Sequence, residues 1–467
     1  MNKFKIMVLF LFAIVILLPV AMFRTEDEVI SEIDNKKLAK SPWYYWQQGD
    51  RNWQKRTRNY FNDRIGFRNE MIQTLTLLND YLFGELVHPT YRYGQNGWIF
   101  TRRMDTPAYN EYHKSFIAMV KSISDYCNAR GVPFLLVLEP QKQDIYPEYL
   151  PIGVKYDNSW AVEMKAELDK LGIRYVDNTD TLIREKRRGE LVYNPKYDAV
   201  HWNDVGAFYG CNAILSELNK TIPEIKSNQA VDFQWGERLQ TSLLVSKFPI
   251  EEMVPDVSVP LDNVENMANK YRDELKLDKN YHSFSYNVNH SHNTDLPRTL
   301  VFQGSHMNGK GGKYLAYALG EYIAVHNYQN VIDFPYYFNI FKPQCVVFEV
   351  AEGVLIGDEY FDKRRMDKIN YNLPLKYILQ ENSIKKMAET MSTKLTVKRG
   401  ESLTTIKWGE GISADYVWLF LDEEYDMCRD DDGEYEVTLK TEDWDRWREK
   451  AIIAVLEDDK VTWYRGG

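Results

Sequence analysis

Arg130-Gly-Val-Pro-Phe-Leu-Leu-Val-Leu138 follows an amphipathic pattern over Ser115–Ala129. Arg130-Gly131 is an ordinary stop for such a helix. From Val132 to Leu138 the chain is apolar at nearly every position. A run without a solvated face fits a strand covered on both sides, as in a parallel sheet. Working outward, Ser159–Leu171 reads as a second helix closed by Gly172, followed by a strand at Ile173–Val176. Gly97–Phe100 is a short strand, and Thr299–Phe302 and Cys345–Val350 are further buried-strand candidates. Apolar strands alternating with helices define an α/β protein with a doubly wound sheet.

The pattern differs at either end. After about Met366, short alternating segments occur at Leu395–Lys398, Leu403–Trp408, Tyr416–Leu421, Tyr435–Lys440, Ala451–Leu456 and Val461–Tyr464, with turn signals at Arg399-Gly400 and Asp432-Gly433. This is the signature of a small antiparallel β module. Residues 25–90 are polar and helical in character, carry Trp43, Trp46, Trp53, Phe61 and Phe67, and contain a helix with an apolar face from Ile72 to Leu82. They read as a stem packed onto the next domain. The expected division is 1–24 anchor or signal, 25–90 helical stem, 91–366 catalytic domain and 367–467 β module. Residues 227–298 follow no regular pattern.

Ile6–Phe23 is uncharged and apolar, with Lys3 and Lys5 before it and Arg24, Glu26, Asp27 and Glu28 after it. It is long enough to cross a hydrocarbon core of about 30 Å at about 1.5 Å per residue. Basic residues before the run and acids after it place the N-terminus in the cytoplasm and the rest outside. A cleavable signal peptide is the competing reading, with Pro19 and Ala21 in its cleavage region, but no clean small-x-small site follows a shorter core. An uncleaved single-pass anchor is favoured, and in either case the remaining chain is exported.

The 467 residues are 44% hydrophobic and 14% aromatic, a folded composition. The net charge of −10 argues against nucleic acid as a partner. Cys127, Cys211, Cys345 and Cys428 are far apart and form no C-x-x-C pair, so neither a zinc nor a thioredoxin-type site is implied. A disulfide is possible in an exported chain. A buried free thiol is the simpler expectation for Cys345.

Two stretches carry candidate chemistry. In Val301-Phe-Gln-Gly-Ser-His306 a buried strand ends just before Ser305, at the edge where open α/β sheets bind ligands. By itself a Ser here more often caps a turn or the following helix, read as Lys313–Ala324. In Tyr197-Asp-Ala-Val-His-Trp-Asn-Asp-Val-Gly206, Asp198 and His201 stand three apart and meet on a turn. A carboxylate there can fix the imidazole tautomer, and His201 can then act as a base. By itself Asp-x-x-His is more often an ion pair. No third ligand at a fixed spacing supports a metal, and no cofactor is expected. Together Ser305, His201 and Asp198 supply the three roles of nucleophilic acyl transfer.

At this point the chain resembles the SGNH-hydrolase-like O-acetyltransferases of exported polysaccharides, the AlgJ/AlgX family of alginate acetylation. The resemblance is carried in order by the N-terminal anchor, Phe61-x-Asp-Arg-x-Gly-Phe-Arg68, Gly94-Gln-Asn-Gly-Trp-Ile-Phe100, Leu138-Glu-Pro-Gln-Lys142 through Pro151, Asp198-x-x-His-Trp-Asn-x-x-Gly206, Gly304-Ser305 and Lys342-Pro-Gln-Cys-Val-Val-Phe-Glu-Val350. It covers roughly residues 55–360. It implies Ser305 as nucleophile, His201 as base and Asp198 as acid. It also implies a polysaccharide acceptor and a multi-pass membrane acyltransferase as the acetyl source. Three features depart from the family. The acid and base are separated by two residues instead of one, Gly304 precedes the serine, and the usual Asn motif for the oxyanion hole is missing, leaving Asn308 as a weak substitute. Lys142 and Glu349 follow the family pattern and read as structural, and His306 as a packing residue.

The leading expectation is an extracytoplasmic O-acetyltransferase. An acetyl esterase using the same residues is the alternative. A non-catalytic glycan-binding component, presenting Trp408, Trp418, Trp444, Trp447 and Trp463 on the β module, is a third.

Overall fold

A computed structural model describes residues 3–466 apart from 26–30, 32, 34–37, 48–51, 105, 245, 292–295, 358–359, 379–390, 431 and 459. Glu26, Asp27 and Glu28, the acids after the apolar run, lie outside the described residues. The run itself is one helix, α1 (Lys3–Ala21), with no buried residue. Three more helices follow: α2 (Pro42–Gln47), α3 (Trp53–Arg64) and α4 (Arg68–Phe83). The apolar face of α4 does not pack as expected. Only Thr76 is buried, while Met71, Leu75, Leu78 and Leu82 form an exposed stripe. The helix is fastened by polar contacts instead, from Thr76 Oγ1 to the Val87 carbonyl and from the Tyr93 hydroxyl to Asp80, both 2.8 Å.

The strand pair β1 (Tyr91–Tyr93) and β2 (Ile99–Thr101) leads into the central unit. There α5 (Glu111–Ala129) starts at Asn110, whose side chain accepts the Tyr112 N–H at 2.8 Å. Next comes β3 (Phe134–Glu139), buried at every position. Full burial of a Leu, Val or Phe side chain stabilises by about 1.5–3 kcal/mol, against about 1–2 kcal/mol of backbone entropy per ordered residue. Phe134–Leu138 is thus a segment that gains by lying at the centre of a sheet. The chain continues through α6 (Lys142–Ile145), α7 (Ser159–Lys170), β4 (Tyr175–Asp177), α8 (Asn178–Arg187) and α9 (Asp204–Asn219). The unassigned region contains a long ribbon, β5 (Gln234–Ser242) with β6 (Pro249–Ser258), and then β7 (Val264–Asn266) and β8 (Phe284–Asn289). The unit is completed by β9 (Arg298–Gln303), α10 (Gly312–Ala318), β10 (Glu321–His326), α11 (Phe334–Phe341) and β11 (Cys345–Ala351).

The resulting seven-stranded sheet has the order β4-β3-β11-β9-β10-β8-β7. The first five strands are parallel, and β8 and β7 close one edge antiparallel. Phe116 of α5, Trp160 of α7 and Phe338 of α11 pack on one face. Leu182 of α8, Ile214 of α9 and Leu315 of α10 pack on the other. The fold is the expected α/β sheet with helices on both faces. The helix expected at Lys313–Ala324 stops at Ala318. Past Gly320 the apolar Tyr322–Val325 stretch is a strand, because its backbone pairs in parallel with β9.

The C-terminal part is an eight-stranded sheet of β12 (Met391–Thr393), β13 (Thr396–Arg399), β14 (Leu403–Trp408), β15 (Tyr416–Phe420), β16 (Glu424–Arg429), β17 (Tyr435–Lys440), β18 (Ile452–Glu457) and β19 (Lys460–Gly466). Its order is β12-β19-β18-β15-β16-β17-β14-β13, antiparallel apart from the β12–β19 edge. Sequence pattern missed β16, whose Asp426 interrupts alternation. That carboxylate is buried because it accepts hydrogen bonds from Arg130 Nη2 at 2.8 and 3.0 Å and from the Tyr126 hydroxyl, joining this sheet to α5. Trp408, Trp418, Trp444 and Trp463 are buried, so they are core residues and not sugar-stacking faces. All four cysteines are free, Cys345 buried among them.

Candidate active site

Parallel strands bring their carboxyl ends to one edge, and register decides what meets there. On β10, His326 pairs with Gln303 of β9. Two residues further on, Ser305 and Tyr328 come near one another, and the serine partly offsets the upward push that burial gives the Tyr328 phenol. On the other side β11 pairs with β9 up to Phe348 and Phe302, so the next residue, Glu349, faces the turn after β9. Its carboxyl accepts the Gly304 N–H. A β-carbon on Gly304 would stand 3.1 Å from Glu349 Oε2 and 3.2 Å from Asn327 Nδ2, so glycine is what lets the carboxyl close on the backbone here. Beyond Ser305 a wide turn, Met307–Gly311, leads into α10. Lys310 and Lys313 tie this turn and α10 to Asp204 at the start of α9.

His201 and Asp198 arrive on the loop that enters α9. Asp198 adopts a left-handed backbone conformation (φ 58°), tolerated by Asp because its short side chain bonds locally. Its Oδ1 accepts the N–H groups of Val200 at 3.1 Å and His201 at 3.0 Å. The loop is braced along its length. The Pro195 carbonyl accepts from Ile99 N at 2.8 Å and from the buried Lys142 ammonium at 3.0 Å. Glu252, on β6, accepts the N–H groups of Lys196 and Tyr197. Asn203 caps α9 through the Gly206 N–H at 3.0 Å and bonds back to Asn194 at 3.1 Å. The Trp202 indole donates to the His306 carbonyl at 3.2 Å and so links this loop to the serine turn.

The three singled-out residues are brought together. His201 Nδ1 lies 2.8 Å from Asp198 Oδ2, and His201 Nε2 lies 2.8 Å from Ser305 Oγ. A carboxylate only accepts, so the Nδ1 proton points at Asp198 and Nε2 is left as the acceptor for the serine hydroxyl. Burial alone would raise the Asp198 carboxyl, but the His201 charge and the bonds it receives outweigh burial and hold it well below the usual carboxylate range. Burial alone would lower His201, and Asp198 outweighs it and raises the imidazole. Glu349 is pushed up to about 8 by burial, which the Gly304 N–H and His201 partly offset. His306 is held well below its ordinary value by burial and by His201, and packs edge-on against His201 with ring centroids 5.0 Å apart. That is the packing part expected of it.

Sequence reading missed Tyr328 and the bracing residue Glu252, which are ordinary residues in the sequence until the register and the β5–β6 ribbon place them. Among the described residues Asn308 makes no hydrogen bond to Ser305; its Oδ1 accepts Gln303 Nε2 at 3.4 Å, and its N–H donates to the Gly304 carbonyl at 3.0 Å. Among the described residues no group of three His, Cys, Asp or Glu is arranged to hold a metal ion.

A parallel sheet with a serine, a histidine and an aspartate at its carboxyl edge has the architecture of an SGNH hydrolase-like domain. Residues 92–279 match the family model of that domain from the acetyltransferase AlgX, a segment that includes Asp198 and His201 and stops before Ser305. Over that segment the chain is similar to the AlgJ/AlgX proteins. It is 23% identical over 184 residues to the probable alginate O-acetylase AlgJ of Pseudomonas aeruginosa, a match covering 38% of this chain and less than half, 46%, of that protein. Solved structures that it is similar to include Bacillus cereus PatB1 with a sulfonyl adduct (18% identity, 58% of this chain and 97% of that one, TM-score 0.44). They also include the O-acetyltransferase domain of Pseudomonas putida AlgJ (16% identity, 60% and 98%, TM-score 0.42) and Pseudomonas aeruginosa AlgX (12% identity, 74% and 86%, TM-score 0.41).

Proposed function

We propose that the protein is an extracytoplasmic O-acetyltransferase that acetylates a cell-surface or secreted polysaccharide through Ser305, His201 and Asp198. The observation that carries this reading is the continuous chain of two 2.8 Å contacts from the serine hydroxyl through the imidazole to the carboxylate. In the first half-reaction Ser305 Oγ attacks the acetyl carbonyl of a donor ester while His201 Nε2 takes the hydroxyl proton. The donor C–O bond breaks, and His201 returns the proton to the departing oxygen. In the second half a sugar hydroxyl attacks the acetyl-serine, gives its proton to His201, and Ser305 leaves as the proton is passed back to it. Asp198 holds the imidazole in the useful tautomer and stabilises its charged form in both halves.

In this reading residues 91–366 form the catalytic domain and 367–467 an attached β module, after a 25–90 stem. The α1 helix is a single-pass anchor, and a multi-pass membrane acyltransferase supplies the acetyl group. The catalytic claim is tested by incubating purified protein with an acetyl ester donor and oligosaccharides and weighing the products. Acetyl gained by the sugar, lost in Ser305→Ala, is the expected result. Release of acetate alone would make the enzyme an esterase, and full activity in the Ser305→Ala variant would overturn the assignment of the nucleophile.

A further inference from the structure

The segment joining α1 to α4 has an unusual surface for a chain of net charge −10. Residues 38–68 carry seven Lys or Arg against two Asp, and eight aromatic side chains. Trp43, Trp46 and Trp53 are each about 60% exposed, and Phe61 is 57% exposed. Trp43 and Trp46 stack on one another with ring centroids 4.7 Å apart. Basic side chains lie among these rings. Arg56 sits over Tyr45 and Lys40 over Tyr44, and Lys55 and Arg58 are exposed on α3. A soluble surface has no reason to gather four large exposed aromatic side chains in this way.

Their position supplies the reason. The α3–α4 corner is packed on the end of α1: the Gly66 N–H donates to the Pro19 carbonyl at 2.9 Å, and the Arg24 N–H to the Arg64 carbonyl at 2.9 Å. The Phe23 ring lies 5.5 Å from Tyr60 and 5.4 Å from Phe61. Gly66 allows this approach, since a β-carbon there would fall 2.5 Å from that of Met22. With its 19 residues α1 is about 28 Å long, one hydrocarbon thickness. Whatever touches its last turn is then at the level of the headgroups. Trp and Tyr favour that layer for their amphipathic rings, and Lys and Arg favour it where lipid phosphates are negative.

We propose that α2 and α3 form a platform that lies in the headgroup region of the bilayer crossed by α1, with Trp43, Trp46, Trp53 and Phe61 entering the upper acyl region and Lys55 and Arg58 meeting anionic lipid. The platform rests on the reading of α1 as a membrane span and adds to it a fixed height for the stem above the membrane. Full-length protein reconstituted in phosphatidylcholine–phosphatidylglycerol vesicles tests it, with lipids brominated either high or low on the acyl chain. The expected result is tryptophan quenching that is stronger with the high bromine position, lost in the Trp43→Phe, Trp46→Phe, Trp53→Phe variant, and weakened by Lys55→Gln with Arg58→Gln or by leaving out phosphatidylglycerol. The other nine of the twelve tryptophans follow residue 90 and serve as the unquenched background. Protein that floats with the vesicles but shows no quenching beyond the triple variant would overturn the platform, leave α1 as a span, and turn the aromatic face into a surface for another protein. Protein that fails to float would overturn the span itself. Quenching indifferent to lipid charge and to the Lys55 and Arg58 changes would overturn the anionic-lipid part.

Discussion

The Glu349 carboxyl, on the strand beside the one that ends at the serine, accepts the backbone N–H of Gly304 and so fixes the residue immediately before Ser305. Glu349→Ala removes that acceptor from a buried N–H and opens a cavity, and should cost about 1–3 kcal/mol from the unpaired group alone. The loss is measured as a fall in Tm, together with a fall in kcat as the serine turn loosens. Glu349→Gln keeps an acceptor of the same size and isolates the charge. A carboxyl raised from 4.5 to about 8 keeps its proton in the folded protein while the unfolded chain releases it. Stability from this group is therefore lost as pH rises through that window. The Tm of Glu349→Gln relative to the parent should rise between about pH 4.5 and 8, and a flat difference would show that Glu349 is ionised throughout.

Ser305→Ala should lower acyl transfer by about 10⁴-fold or more. The hydroxyl removed bonds His201, whose imidazole keeps its Asp198 contact, so Tm should move little. Asp198→Asn leaves the loop in place but offers the imidazole a donor where it needs an acceptor, and a loss of about 10⁴-fold in kcat is expected. An acetyl-serine trapped with a slow acceptor and located at Ser305 by peptide mass would give the direct readout.

The pH dependence follows from the opposed shifts of the pair. His201 must be neutral to take the serine proton, and Asp198 raises it above 6.5. The acid limb of kcat/KM should therefore lie above the ordinary imidazole range and move down in Asp198→Asn. Stability carries the same signs. The raised His201 contributes stability that is complete below about 6.5 and lost as pH rises through its folded value. The depressed Asp198 contributes stability present above about 3.8 and lost as pH falls through its folded value. The Tm advantage of the parent over Asp198→Asn should be greatest between about pH 4 and 6.5.

Gly206 stands where α9 passes the chain at Val192. A β-carbon there would fall 2.4 Å from the Val192 carbonyl oxygen and 2.9 Å from Trp202 Cβ, and neither can yield without moving backbone. Gly206→Ala should destabilise by about 1–3 kcal/mol. Because the displaced segment carries His201, kcat should fall more than KM changes. Thermal unfolding and steady-state kinetics on the same preparation would separate the two effects.

The sequence by itself determined what depends on local pattern. Phe134–Leu138 is apolar throughout and Val346–Val350 is apolar at every position but Glu349, both become buried parallel strands, and the apolar run before Arg24 becomes a single exposed helix. Asp198 and His201 are three apart, so a single turn is enough to bring them into contact. Tertiary structure alone decided the remainder. Ser305 lies 104 positions from His201, and only the order β11-β9-β10 and the α9 entry loop set the two 2.8 Å apart. Tyr328 comes near the serine because β10 pairs with β9 in a particular register, and Glu349 reaches Gly304 because β11 lies on the other side. The β16 strand escapes pattern because Asp426 is buried against Arg130, a partner nearly three hundred residues away. Spacing fixes contacts within a turn or along a strand. Contacts between strands depend on register, which the whole core sets at once and no short stretch of sequence contains.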